Sequence, residues 1–171
     1  MALKLLTIGE EPWSFTRLAG SLSISVGAAH NAISHLRAAQ LVYEKAGAAV
    51  VARKRLADFL IHGVPAVFFP VRGGIVKGIP TSTYAPMLGK LDKRPGVPVV
   101  WPSPAGKITG ESLEPLYDSA PKAALADPTL YELLALLDGV RAGRGRERSA
   151  CVEVLYLKVA GPGSVPPITT D

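Results

Sequence analysis

Apolar residues in the first third of the chain return every three or four positions, interrupted by short polar or glycine-containing joints. Leu3, Leu5, Leu6 and Ile8 mark a first helix, which "GEEP" closes through Gly9 and Pro12. Trp13, Ser14 and Phe15 lead into "TRLAGSL", a short helix that buries Leu18, Ala19 and Leu22. In "SISVGAAHNAISHLRAAQLV" the stripe Ala29, Ile33, Leu36 predicts a helix from about Val26 to Ala39. Ser25 suits its N-cap, because the hydroxyl can satisfy an orphan amide of the next turn. The side that this stripe leaves free carries His30, Asn31, Ser34 and His35. "LVYEKAGAAVVAR" has two strand-capable ends around Lys45-Ala46-Gly47 and reads as a small hairpin. "RKRLADFLIHG" returns to helix, with Leu56, Phe59 and Leu60 inward and Gly63 as its C-cap.

The pattern changes after residue 63. Residues 64–118 hold most of the prolines and many glycines, between short apolar runs such as "AVFF" and "VPVVW". Phe69-Pro70, Gly74 and Gly78 recur 32 positions on as Trp101-Pro102, Gly106 and Gly110. The repeat suits two strand–turn–strand units, each turning at a glycine; chance in a Gly/Pro-rich stretch is the other reading. Helical spacing resumes with Asp127-Pro128 as a start and Leu130, Leu133, Leu134 and Leu137 as a stripe. "RSACVEVLYLKV" follows as a further helix, and the tail "AGPGSVPPITTD" has no periodicity and reads as mobile.

Composition narrows the classes. With 171 residues, 48% hydrophobic residues and a mean hydropathy of +0.25, the chain can bury a core. No apolar run approaches the ~20 residues of a membrane span, and no leader-like segment opens the chain, so a cytoplasmic protein with no membrane partner is expected. Cys151 is the sole cysteine, which excludes an internal disulfide and a cysteine-built zinc cage. A net charge of +5 and a pI near 9.5 favour an anionic partner such as nucleic acid.

The order helix, short helix, tight turn, amphipathic helix, small hairpin is the plan of a winged helix-turn-helix. "FTRLAGSLSISVGAAHNAISHLRAAQLV" resembles the DNA-reading core of MarR-type bacterial regulators, in Ala19, Leu22, Ser25, Ala29, Ile33, Leu36 and Leu41-Val42. The resemblance covers residues 1–62. Two departures stand out: Gln40 occupies a position where that family commonly has glycine, and Ala28, His30, Asn31 and His35 stand where Arg and Lys are frequent. The resemblance implies double-stranded DNA as partner and the third helix as the reading element. A helix of this width fits the major groove, where its N-terminal turn (Ser25, Gly27) and outer face (Ala28, Asn31, Ser34, His35, with His30 at the flank) reach base edges. Asn31 suits adenine and Ala28 a thymine methyl; His35, Arg37 and Arg17 suit phosphates, and Lys45 at the hairpin tip a neighbouring groove or backbone. A solvated face, or a winged helix used for protein contacts, is the plainer alternative.

Enzymatic features are weak. His30 and His35 are spaced i, i+5 and so do not share a helix face, and "RGGIVKGIPTS" lacks phosphate-loop spacing. Asp118, Asp127 and Asp138 read as turn and capping residues, and Cys151 as a small core residue. No catalytic residue, metal site or cofactor is expected. Arg141, Arg144 and Arg148 would line one face, with Arg146 beside them, if the helix ran on; Gly143 and Gly145 argue for a break.

The sequence thus predicts an α+β chain. A winged helix-turn-helix over 1–62 precedes a small mixed domain of short strands and C-terminal helices over 63–158, then a mobile tail over 159–171. The second part, with "HGVPAVFFP" and "DPTLYELLALLDGVRAGRGRER", resembles a regulator-associated domain that could dimerise the chain, hold a ligand or bind a partner encoded nearby. A sequence-specific DNA-binding regulator, such as an operon autorepressor acting as a homodimer, is expected. The alternative is a protein-interaction module, for example an antitoxin-type subunit whose winged helix serves assembly.

Overall fold

A computed structural model describes residues 1–9, 11–45, 48–91 and 96–167. The chain is α+β. Its helices are α1 (Ala2–Ile8), α2 (Phe15–Leu22), α3 (Val26–Ala38), α4 (Arg53–Asp58), α5 (Val64–Val67), α6 (Ala120–Ala126), α7 (Pro128–Ala142) and α8 (Gly145–Ala160). Strands β1 (Val42–Lys45) and β2 (Ala48–Val51) form an antiparallel pair. Strands β3 (Arg72–Pro80), β4 (Val99–Pro102) and β5 (Ile108–Leu113) close into a small barrel. Among the described residues no helix is long and apolar enough to cross a membrane.

α7 is the central helix. Asp127 starts it by accepting from the Leu130 amide through Oδ1 (3.0 Å), with Pro128 in the first turn. Its other carboxylate oxygen takes Lys4 Nζ (2.6 Å) and Thr7 Oγ1 (3.1 Å), so the same side chain fastens α1. Burial alone pushes the Asp127 carboxyl up, but Lys4, the Leu130 amide and Thr7 outweigh it and hold its pKa below the ordinary value. One buried apolar cluster runs from Leu3 and Leu5 through Leu18, Ile33 and Leu56 to Trp101, Leu137 and Leu155. α1 packs on α7, α2 on α6 and α4 on α8, so the N-terminal helices and the C-terminal ones share this core.

The barrel departs from the two glycine-turned hairpins that the repeat suggested. The first copy has no turn: Gly74 lies inside β3, where the register with β5 shifts between Arg72 and Ile75, and the strand runs on to Pro80. β4 and β5 both run antiparallel to β3, β4 pairing near its C-terminal end and β5 along the rest, and Gly78 faces both Pro102 and Ile108. The chain must therefore cross over β3 between them. Gly106 makes that crossing, and a Cβ there would lie 2.2 Å from the Gly78 backbone. Cβ atoms at Gly78 and Gly110 would meet the Trp101 and Pro98 carbonyls at 2.3 Å. Gly78, Gly106 and Gly110 serve close backbone approach, whereas a Cβ at Gly74 would meet nothing within 4 Å, and β4 and β5 can then pair in parallel to close the ring.

Two further expectations are corrected. Gly63 does not cap a helix, because α4 passes through a π turn (Phe59–Gly63) straight into α5. Phe59, the first residue of that turn, is 39% exposed rather than inward, and its ring lies where a Gly63 Cβ would sit. Asp138 is neither turn nor cap. It is 1% exposed and accepts from Thr81 Oγ1 (2.7 Å), Trp101 Nε1 (2.6 Å) and Arg141 NH1 (2.6 Å). Burial pushes its carboxyl pKa up, against the pull of Arg141, Thr81 and Trp101. α8 ends at Ala160, so the segment expected as a tail begins inside a helix, and residues 168–171 lie outside the described residues.

Asp138→Ala strands a buried guanidinium and frees two donors, so denaturant unfolding should show a loss of about 3–5 kcal/mol. A loss under about 1 kcal/mol would mean that Arg141 finds water or another acceptor.

Candidate functional site

α3 takes its limits from its two ends. Ser25, in extended backbone, accepts from the Ala28 amide through Oγ (3.1 Å), as its position suggested. At the other end the Leu41 amide donates to Leu36 and the Gln40 amide to Arg37, both at 2.9 Å. This double bond pattern needs a left-handed residue, and Gln40 supplies it with φ 56°. Here glycine would be the unstrained choice, and the chain uses glutamine. Leu41 and Val42 then dive into the core and β1 pairs with β2 in register Val42–Val51 to Lys45–Ala48. The turn residues Ala46 and Gly47 lie outside the described residues.

Between these ends α3 buries Ala29 and Ile33 and leaves Gly27, His30, Asn31, Ser34, His35 and Arg37 exposed. Ala28, expected outward, is half-buried. The exposed residues differ in what holds them. The His30 imidazole stacks on Phe15 with ring centres 3.5 Å apart and planes 15° apart, so α2 covers one of its faces. Arg37 reaches Glu44 on β1 at 3.4 Å, which offsets its charge and links α3 to the hairpin. Arg17 is exposed in the first turn of α2, where its amide caps on Ser14 Oγ (3.2 Å). Lys45 is exposed at the end of β1. A Cβ on Gly27 would meet nothing within 4 Å, so that position in the first turn of α3, beside the exposed Val26, faces open space.

The flank of α3 that carries Ala28, Asn31 and His35 borders a cavity of about 530 Å³. Its floor includes the core residues Leu56, Leu130 and Leu137, and its mouth the exposed aromatics Phe59, Phe68 and Tyr117. Ser119 on its wall donates to the Leu22 carbonyl (2.6 Å) and so ties the start of α6 to the end of α2. No sequence pattern signalled this space, because its lining is drawn from Met1 to Leu137.

The arginines of residues 141–148 do not form one face. α7 stops at Ala142 and α8 starts at Gly145, so Arg141 belongs to one helix and Arg148 to the next. Arg141 is buried on Asp138 and donates through Nε to the Phe68 carbonyl (2.8 Å). Arg148 Nε donates to the Val140 carbonyl (3.2 Å) near the end of α7, and Arg144 and Arg146 are exposed. Cys151 is fully buried, its thiol pushed up to about 12 by burial and by Glu147. Among the described residues no three His, Cys, Asp or Glu side chains gather as a metal cage would. No family model matches the chain, and no curated protein or solved structure matches it significantly.

The two ends of α3 give substitutions of opposite sign. Ser25→Ala should lower unfolding stability by about 1 kcal/mol through loss of the cap. Gln40→Gly should raise it by about 1 kcal/mol, by relieving a left-handed non-glycine residue. Thermal unfolding of both variants measures the pair, and equal midpoints would refute both cap assignments.

Proposed function

We propose that the chain is a sequence-specific DNA-binding transcriptional regulator whose residues 1–62 act as a winged helix-turn-helix. In this reading α3 is the recognition helix and β1–β2 the wing. One observation carries it: α3 stands between a supporting α2 and a two-stranded hairpin with an uninterrupted exposed face of small and hydrogen-bonding residues, Gly27, Asn31, Ser34 and His35. A helix that served only to cover the core would gain by filling the bare Gly27 site, since a side chain there meets nothing. Glycine is favoured where another backbone must come close, as phosphates do at a helix start. Asn31 is assigned to base edges and His35, Arg17 and Lys45 to phosphates; the pairing of Arg37 with Glu44 gives it a smaller share. His30, stacked on Phe15, orients the flank. The chain is assigned to a homodimer, because one short helix reads few base pairs and two-fold pairing doubles the site.

A second reading has its own observation. Val67, Phe68, Phe69 and Val71 are all exposed, a contiguous apolar strip of the kind that protein partners cover. It favours a protein-interaction module, such as an antitoxin-type subunit.

Mobility-shift titration separates the two, using duplex DNA from upstream of the chain's own coding region at two salt concentrations. Binding that weakens with salt supports the regulator; no retardation at either salt refutes it. Asn31→Ala should cost about 1–3 kcal/mol on the preferred site and relax preference at one base pair, whereas Arg17→Ala should weaken all duplexes alike and flatten the salt slope by about one unit. Gly27→Ala should raise the melting temperature and at the same time weaken duplex binding, a combination that a merely solvated face would not produce. If all three variants bind as the wild type does, α3 is not the reading element.

A further inference from the structure

The cavity beside α3 has the dimensions of a ligand site. Its volume of about 530 Å³ falls in the range that small-molecule sites occupy. Its floor is core: Leu56, Leu130 and Leu137 are each at most 3% exposed and still line it. Its mouth is framed by Phe59, Phe68 and Tyr117, all substantially exposed. A deep apolar space with an aromatic rim fits a compact molecule better than a macromolecular face, which would lie across the rim and leave the floor unfilled.

The chemistry of the wall restricts the occupant further. No Asp, Glu, Lys or Arg side chain lines the cavity among the described residues, and the Met1 α-amino group on its wall has its pKa pushed below the ordinary value by burial, which favours the uncharged amine. An ionic group entering would therefore lose water with little opposite charge to gain. The hydrogen-bonding side chains on α3's flank are Asn31 and His35, and no partner for either is found among the described residues. We propose that this cavity binds a neutral, largely apolar small molecule with one hydrogen-bonding head, and that Asn31 and His35 hold the head. These side chains are the ones assigned above to base edges and phosphate. An occupant therefore withdraws them from a duplex, and ligand and DNA binding oppose each other. That coupling rests on the DNA-binding reading; the cavity assignment does not.

The rim is also fastened to the core. Phe68 lies at the mouth, and its carbonyl accepts from Arg141 Nε (2.8 Å), whose guanidinium is fixed by the buried Asp138. The Phe68 backbone at the rim is thus fastened to α7.

The test uses the full chain and Nile red, a neutral apolar dye that fluoresces out of water. Saturable fluorescence is expected in the wild type, with affinity reduced about tenfold or more when Ala120→Phe fills the cavity from the α6 side or Ala32→Leu fills it from α3. The two substitutions act from different helices, and circular dichroism identifies the folded variant to be scored. Asn31→Ala and His35→Ala should each weaken the dye several-fold. The anionic dye 1-anilinonaphthalene-8-sulfonate should bind more weakly than Nile red at this site. Absent saturation, unchanged binding in a folded cavity-filled variant, or tighter binding of the anionic dye in competition would overturn the assignment. With the upstream duplex present, saturating Nile red should weaken DNA binding several-fold; a duplex that binds equally with and without the dye overturns the coupling. A duplex that never binds, alongside a dye that behaves as expected, overturns the DNA-binding reading and upholds the cavity.

Discussion

A single buried carboxylate joins the parts of this fold. Asp138 sits in the middle of α7 and accepts from Thr81 just after β3, from Trp101 on β4 and from Arg141 one helical turn further on. Arg141 passes the connection to Phe68, ahead of β3. The barrel, the central helix and the segment ahead of β3 are thereby referenced to one another through two coupled side chains, Asp138 and Arg141. Hydrophobic contact alone is non-directional and would tolerate sliding of the barrel on α7. Four directional bonds in a dry environment do not, because each group left unpaired there is costly. The second buried acid works in parallel: Glu147 on α8 accepts from Ser82 and Thr83, so the turn following β3 is held by both C-terminal helices.

The barrel is made possible by what is missing from it. Three strands can close only if the chain crosses its own backbone within a few residues, and that crossing has room for no side chain. Gly106 on Gly78 supplies it, with Gly110 against Pro98 on the closing edge. Trp101 on β4 leaves the barrel for the main core, where it is 1% exposed and its indole nitrogen meets Asp138. One strand of the barrel thus supplies part of the polar anchor on α7.

What the sequence disclosed follows the range of the forces involved. Ser25, Asp127-Pro128 and the stripe Ala29, Ile33, Leu36 act within one or two helical turns, so their spacing carried the helix limits and the exposed positions of α3. Phe59 opens the π turn and is exposed, while Leu60 after it is buried as the spacing predicted, so helical spacing placed one of the two neighbours and not the other. The glycine repeat was visible, but its meaning was steric and non-local: Gly78 and Gly106 matter to each other across 28 positions of chain. Arg141 showed only its charge in the sequence, and its burial depends on Asp138 three residues before it and on Phe68 far upstream. The cavity had no local signal, since residues from Met1 to Leu137 meet only after folding.

Of the candidate positions, Gln40 is the most informative departure. It holds a left-handed conformation at the exit of α3 that glycine would adopt without strain, and it leads directly to Leu41 and Val42 in the core. A non-glycine residue there costs stability but stiffens the joint, because fewer backbone states lie open to it. Stiffness at that joint fixes how α3 meets the hairpin, an angle that the Arg37–Glu44 pair also supports. At the opposite end Gly27 leaves one position in the first turn of α3 without a side chain. The helix is therefore constrained where it leaves toward the hairpin and open where it begins. On the proposed reading that is the polarity required, since the start of the helix approaches the duplex and its exit must hold the wing in place.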